Sequence, residues 1–117
     1  MMFLKLRVPF FADFDKKTLR LVSERFVFRI YQTKEVINTY SEDANVLYIV
    51  VRGEVGHYYG LKRSQISEDT KPEGLSGDIM SWGHEGMAQD KKWYFTSMAL
   101  KKTMLICLDK RDLIEVL

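Results

Sequence analysis

A single cysteine, Cys107, excludes an internal disulfide and any cysteine-rich zinc motif, and it makes a reducing compartment the simpler setting. Cys107 stands among Met104, Leu105, Ile106 and Leu108, which reads as core rather than as a reactive thiol. The only histidines are His57 and His84. They form no close pair, so a metal enzyme of jelly-roll type lacks its clustered ligands, and no metal site is expected. His57, between Gly56 and Tyr58, reads as a strand residue at the surface or lightly bonded. No Gly-x-Ser-x-Gly elbow occurs and no histidine neighbours Cys107, so nucleophilic catalysis is not expected either. Charge is nearly balanced, with 18 basic against 16 acidic residues and a net +2. That field, without a basic stripe interleaved with stacking aromatics, argues against nucleic acid as a partner. No apolar run approaches the roughly 20 residues that span a bilayer, and "MMFLKLRVPF" lacks the plan of a signal peptide. Direct membrane insertion is therefore not expected. A cytoplasmic location is, whether in a free protein or in the cytosolic part of a membrane protein.

What is present fits one domain over 1–117, with 46% apolar residues and no fixed-period repeat. Residues 1–26 read as an N-terminal helical segment. In "DFDKKTLRLVSERF" Asp15 is a natural N-cap, and Leu19, Val22 and Phe26 recur at helical spacing. From Val27 the pattern turns extended, through "VFRIY", "EVINTY", "VLYIVV", "EVGHYY", "WYFTSMA" and "TMLICL", which predicts six or seven short strands over 27–108. Residues 60–77, polar and carrying Pro72, read as a long exposed hairpin loop. Asp109 caps a further helix over 109–117, "DKRDLIEVL", which the chain end truncates. The fold class is mainly β with flanking helices, an antiparallel β-roll or jelly roll.

One stretch invites a functional question: "SGDIMSWGHEGMAQDKKWYFTS", residues 76–97. Glycines beside polar and basic residues suit an anion cradle, a metal site or a plain corner between strands. The order around it is informative. "VPFFADFDKKTLRLVSERF", then "YQTKEVI", then "NVLYIVVRGEV" with its turn at Gly53, then "TSMALKKTMLICLDKRDL" resembles the cyclic nucleotide-binding domain over nearly the whole chain. The resemblance implies a non-catalytic regulatory module of a larger signalling or membrane-transport protein. Its implied ligand is cAMP or cGMP, with no other cofactor, and its implied partner is the rest of the parent polypeptide, met through the terminal helices.

The family's phosphate-binding cassette carries Phe-Gly-Glu and, further on, Pro-Arg-Ala-Ala-Thr. Its glycine admits backbone N–H groups to the phosphate, its glutamate takes the ribose hydroxyl, and its arginine forks onto phosphate oxygens. Matched without a gap from the closing strand, Thr96 falls on the threonine, Trp93 on the arginine and Lys92 on the proline. Trp82, Gly83 and His84 fall on Phe-Gly-Glu, and Gly77 on a glycine ahead of them. Ser41 and Ala44 stand where the family's first turn usually has glycines. The resemblance thus implies a cassette with its backbone feature kept and both charged contacts replaced, hence weak cyclic nucleotide binding or none, the alternative being a ligand-free interaction domain. The candidate residues are Gly77, Trp82, Gly83, His84, Glu85, Lys91, Lys92, Trp93, Tyr94 and Thr96. Lys91 or Lys92 is the candidate replacement cation, His84 or Glu85 the candidate ribose contact, and Trp93 a plug in the pocket.

Overall fold

The computed structural model describes residues 2–117. Helix α1 (Met2–Arg7), a 3-10 turn at Pro9–Phe11 and helix α2 (Lys16–Ser23) precede the strands. Strands β1 (Val27–Tyr31), β2 (Val36–Asn38), β3 (Val46–Arg52), β4 (Val55–Tyr59), β5 (Gly74–Ser76) and β6 (Ser81–Trp82) lead into helix α3 (His84–Ala88). Strands β7 (Phe95–Ala99) and β8 (Thr103–Asp109) and helix α4 (Lys110–Val116) complete the chain. Asp15 and Asp109 cap as their sequence position suggests, accepting from the backbone N–H groups of Thr18 at 2.7 Å and Arg111 at 2.8 Å.

The strands form two antiparallel four-stranded sheets, β1-β8-β3-β6 and β2-β7-β4-β5, facing each other as a roll. Period-2 alternation decides what each face does. On β3 and β8, Leu47, Ile49, Ile106 and Leu108 face outward and are covered by Leu4, Val8, Phe11, Leu19, Val22 and Leu113 of the helical segments. The alternate residues Tyr48, Val50, Leu105 and Cys107 face inward to meet Trp82, Trp93 and Phe95. Cys107 is buried in that core, and burial pushes its thiol up to about 11, so it is inert at neutral pH.

Two expectations need correction. There are eight strands, because residues 74–76 and 81–82 pair with β4 and β3. Nor are residues 60–77 a simple exposed loop. Tyr58, Met98 and Val36 point out from the second sheet, and Ile66 and Leu61 fold back to cover them as a small third core. Pro72 lies over Gly56 on the same sheet. An uncovered sheet face bearing Tyr58 and Met98 would leave apolar area in water, and the polar loop carries one buried isoleucine to prevent it.

Candidate functional site

The stretch 76–97 holds the end of β5, then β6, α3 and the start of β7, and it wraps a cavity of about 290 Å³ between the sheets. His57, Tyr59, Trp82, Trp93 and Phe95 line its depth, and His84, Glu85, Lys91, Lys92 and Tyr94 stand around it. The rings pack on one another. Trp82 stacks on Tyr48 with centroids 5.1 Å apart, Trp93 lies 5.6 Å from Phe95, and His57 meets Trp82 and Phe95 edge-on at 4.8 and 5.0 Å. The indole N–H of Trp82 donates to Asn38 Oδ1 at 2.9 Å, and the Asn38 amide donates to the carbonyl of Phe95 at 3.1 Å. This buried network holds the wall rigid.

Gly83 makes the arrangement feasible. It caps α3 with φ +98°, and a Cβ there would overlap the carbonyl oxygen of Val46 and come within 2.9 Å of Trp93 Cη2. The indole of Trp93 therefore lies against bare backbone. Gly86 is as constrained, since a Cβ on it would collide with the carbonyl of Ala44. The 41–44 turn is tied to the same region by hydrogen bonds from Ser41 N to Trp93 O (2.7 Å), Trp93 N to Glu42 O (2.8 Å) and Ala44 N to Lys91 O (2.8 Å). Ser41 has φ +73°, so this corner does adopt the conformation that glycine accepts at least cost. Ala44 lies outside that region.

No family model and no curated relative matches the chain. Solved structures do. A cyclic nucleotide-binding-like protein from Brucella abortus superposes with a TM-score of 0.81 at 14% identity, covering 98% of this chain and 95% of its own. The cAMP-bound PfPKA-R fragment matches with a TM-score of 0.79 at 17% identity, covering 97% and 40%. A regulatory subunit of a cAMP-independent protein kinase A from Trypanosoma brucei matches with a TM-score of 0.73 at 18% identity, covering 98% and 43%. The chain has the cyclic nucleotide-binding fold.

Within this cyclic nucleotide-binding fold the candidate residues separate into two groups. Trp82, Gly83, His84, Glu85, Lys91, Lys92, Trp93 and Tyr94 line the cavity, whereas Gly77 and Thr96 do not. Thr96 faces away, its hydroxyl donating to the Leu61 carbonyl at 2.6 Å and accepting from Tyr40 N at 2.9 Å. Lys92 reaches Asp43 at 2.8 Å on the surface, and that carboxylate raises its pKa. Lys91 is exposed, and His84 sits 3.9 Å from Glu85 with both side chains more than half exposed. Among the described residues no arginine lines the cavity, and no group of three or more metal-ligating side chains occurs.

His57 is the residue that sequence reading missed. It is buried, not at the surface: β4 turns Val55, His57 and Tyr59 inward, and the register sets His57 opposite Ser97 and beside Gly74. Nδ1 lies 2.7 Å from Ser97 Oγ and Nε2 lies 2.8 Å from Ser76 Oγ. The available signal was alternation, since His57 shares its face with Val55. Burial lowers its pKa from 6.5 to about 4. The unfolded chain thus binds a proton between those values that the native protein does not, so stability falls as pH drops below about 6.5 and levels off below about 4. Between about pH 7 and pH 5 the loss from this group is on the order of 2 kcal/mol. Urea unfolding at the two pH values checks it, with His57→Gln as reference; an equal loss in that variant would assign the dependence to other groups.

Proposed function

We propose that this domain is a non-catalytic regulatory module of a larger cytosolic or membrane-attached signalling or transport protein, and that its pocket takes cAMP or cGMP weakly or not at all. One observation carries the reading. Trp93, at the position matched to the phosphate-binding arginine, puts its indole into the cavity wall against Gly83 and is 7% exposed. Losing a buried charged partner typically costs about 2–5 kcal/mol of binding, which turns a micromolar site into one of roughly millimolar affinity. Lysine cannot reproduce the planar fork. Lys92 is engaged by Asp43, which leaves Lys91, also at the cavity, as the replacement cation.

A second reading is a ligand-free interaction domain that keeps the fold for packing. The aromatic lining of the cavity favours it, as does likeness to the fold of a regulatory subunit described as cAMP-independent. Under either reading the terminal helices, packed on the first sheet, are the route to the rest of the polypeptide.

Titration of the intrinsic fluorescence with cAMP and cGMP tests the proposal, because Trp82 and Trp93 both line the cavity. No saturable change is expected below roughly millimolar nucleotide. Saturable quenching at low micromolar concentration would overturn the weak-site reading. Any binding that survives should weaken with salt and disappear in Lys91→Ala/Lys92→Ala if a lysine serves the phosphate.

A further inference from the structure

A chain of three buried side chains, Ser97, His57 and Ser76, leads from the core to the cavity, and counting protons gives its direction. Ser97 is fully buried, does not line the cavity, and its hydroxyl has His57 Nδ1 as its partner at 2.7 Å. If Ser97 accepted a proton there, its own O–H would be left buried with no acceptor, which is the costlier arrangement. Ser97 therefore donates, and Nδ1 accepts. A neutral imidazole carries one N–H, so the proton sits on Nε2 and is donated to Ser76 Oγ at 2.8 Å. Ser76 does line the cavity, and its hydroxyl proton has no partner within the chain of three, which leaves it available to an acceptor bound there. Burial of His57 keeps the ring neutral and the relay in this sense at physiological pH.

The same wiring argues against use of the pair as an activated nucleophile. Nε2 already holds a proton and cannot take the one on Ser76. What the cavity presents is a fixed O–H donor set among Tyr59, Trp82, Trp93 and Phe95, in a volume of about 290 Å³ near the small end of ligand-pocket sizes. Faces and edges of aromatic rings favour a flat partner, and the donor favours one bearing an acceptor.

We infer that the cavity binds an uncharged, flat heteroaromatic molecule whose ring acceptor takes a hydrogen bond from the Ser76 hydroxyl, with His57 and Ser97 as positioning residues that set the direction of that bond. This rests on the reading that the pocket has lost its phosphate contact, since among the described residues no arginine lines the cavity and Lys92 is held by Asp43.

Quinoline and naphthalene test it, since they share a shape and differ by one ring acceptor. In a heteronuclear NMR titration at neutral pH, quinoline is expected to bind about fivefold more tightly than naphthalene, the value of one neutral hydrogen bond, and to move the Trp82 and Trp93 indole signals. Ser76→Ala should bind the two alike. Independently of that variant's folding, the long-range proton–nitrogen spectrum of the parent chain should show His57 protonated on Nε2. A proton on Nδ1, equal affinity for the two probes in the parent chain, a preference that survives Ser76→Ala, or no binding of either would overturn the inference. Low-micromolar cAMP binding in a parallel titration would sink the weak-site reading beneath it. Failure of the two probes with cAMP also silent would remove the ligand class alone.

Discussion

Trp93→Arg is expected to bind cAMP or cGMP about ten- to a hundred-fold more tightly than the parent chain, the value of a charge-assisted contact of roughly 1.5–3 kcal/mol. The change does two things at one position. It empties the cavity wall of an indole that lies against Gly83, and it offers a planar guanidinium to the phosphate. Trp93→Lys should gain less, because an ammonium cannot bridge two phosphate oxygens in a plane. There is an opposing effect on the empty protein. Trp93 packs on Tyr48 and Phe95, and removing so buried a ring costs about 3 kcal/mol or more. The variant should therefore melt earlier than the parent without nucleotide and regain stability as nucleotide is added, since a ligand that binds only the folded form shifts the equilibrium toward it. Thermal unfolding with and without cAMP, alongside a binding titration, reads both effects. A folded Trp93→Arg protein with no gain in affinity and no recovery would mean that this position does not face a phosphate site, and the ligand-free interaction domain would then be the better reading.

Gly83→Ala is expected to destabilise the fold by about 3–5 kcal/mol, combining an unfavourable left-handed conformation with overpacking. The added methyl has no room on either side. It meets the carbonyl oxygen of Val46, part of a paired strand, and the far edge of the Trp93 ring. A flexible side chain could swing away, but a strand carbonyl can move only with β3. Denaturant unfolding of the single variants and of Gly83→Ala/Trp93→Ala separates the two contacts. The double variant should be less destabilised than the sum of the singles, because the ring contact is removed once. Strict additivity would show that only the backbone collision matters. A loss below about 1 kcal/mol for Gly83→Ala would show that the α3 corner relaxes at little cost, and that bare backbone at this point is not required.

Much of the architecture was legible because it rests on local pattern. Asp15 and Asp109 cap helices where a carboxylate precedes an apolar-periodic run, and strands β1, β3, β4 and β8 follow runs rich in β-branched and aromatic residues. Strands β5 and β6, of three and two residues, carry too few positions to show a period and exist only because β4 and β3 offer edges to pair with. The cover that Ile66 gives to Tyr58 and Met98 was hidden for a similar reason: one isoleucine in a polar segment has no signature until the sheet face it must shield is known. In the cavity, glycine at 83 and aromatics at 82 and 93 could be marked from sequence by resemblance, and the structure brings all three to one wall. Thr96 and Gly77, marked by the same resemblance, lie outside it because one hydroxyl turns to Leu61 and the other residue stays on the corner beyond β5. His57 is the sharpest contrast. Its partners lie 19 and 40 positions away, and strand register alone sets them on either side of the imidazole. The sequence by itself therefore determined where the longer strands and the capped helices α2 and α4 begin, because those depend on neighbours a few residues apart. The burial of His57, its pairing with Ser76 and Ser97 and the placing of Trp93 in the cavity wall were decided by tertiary structure, because each depends on which distant strands pair and in what register.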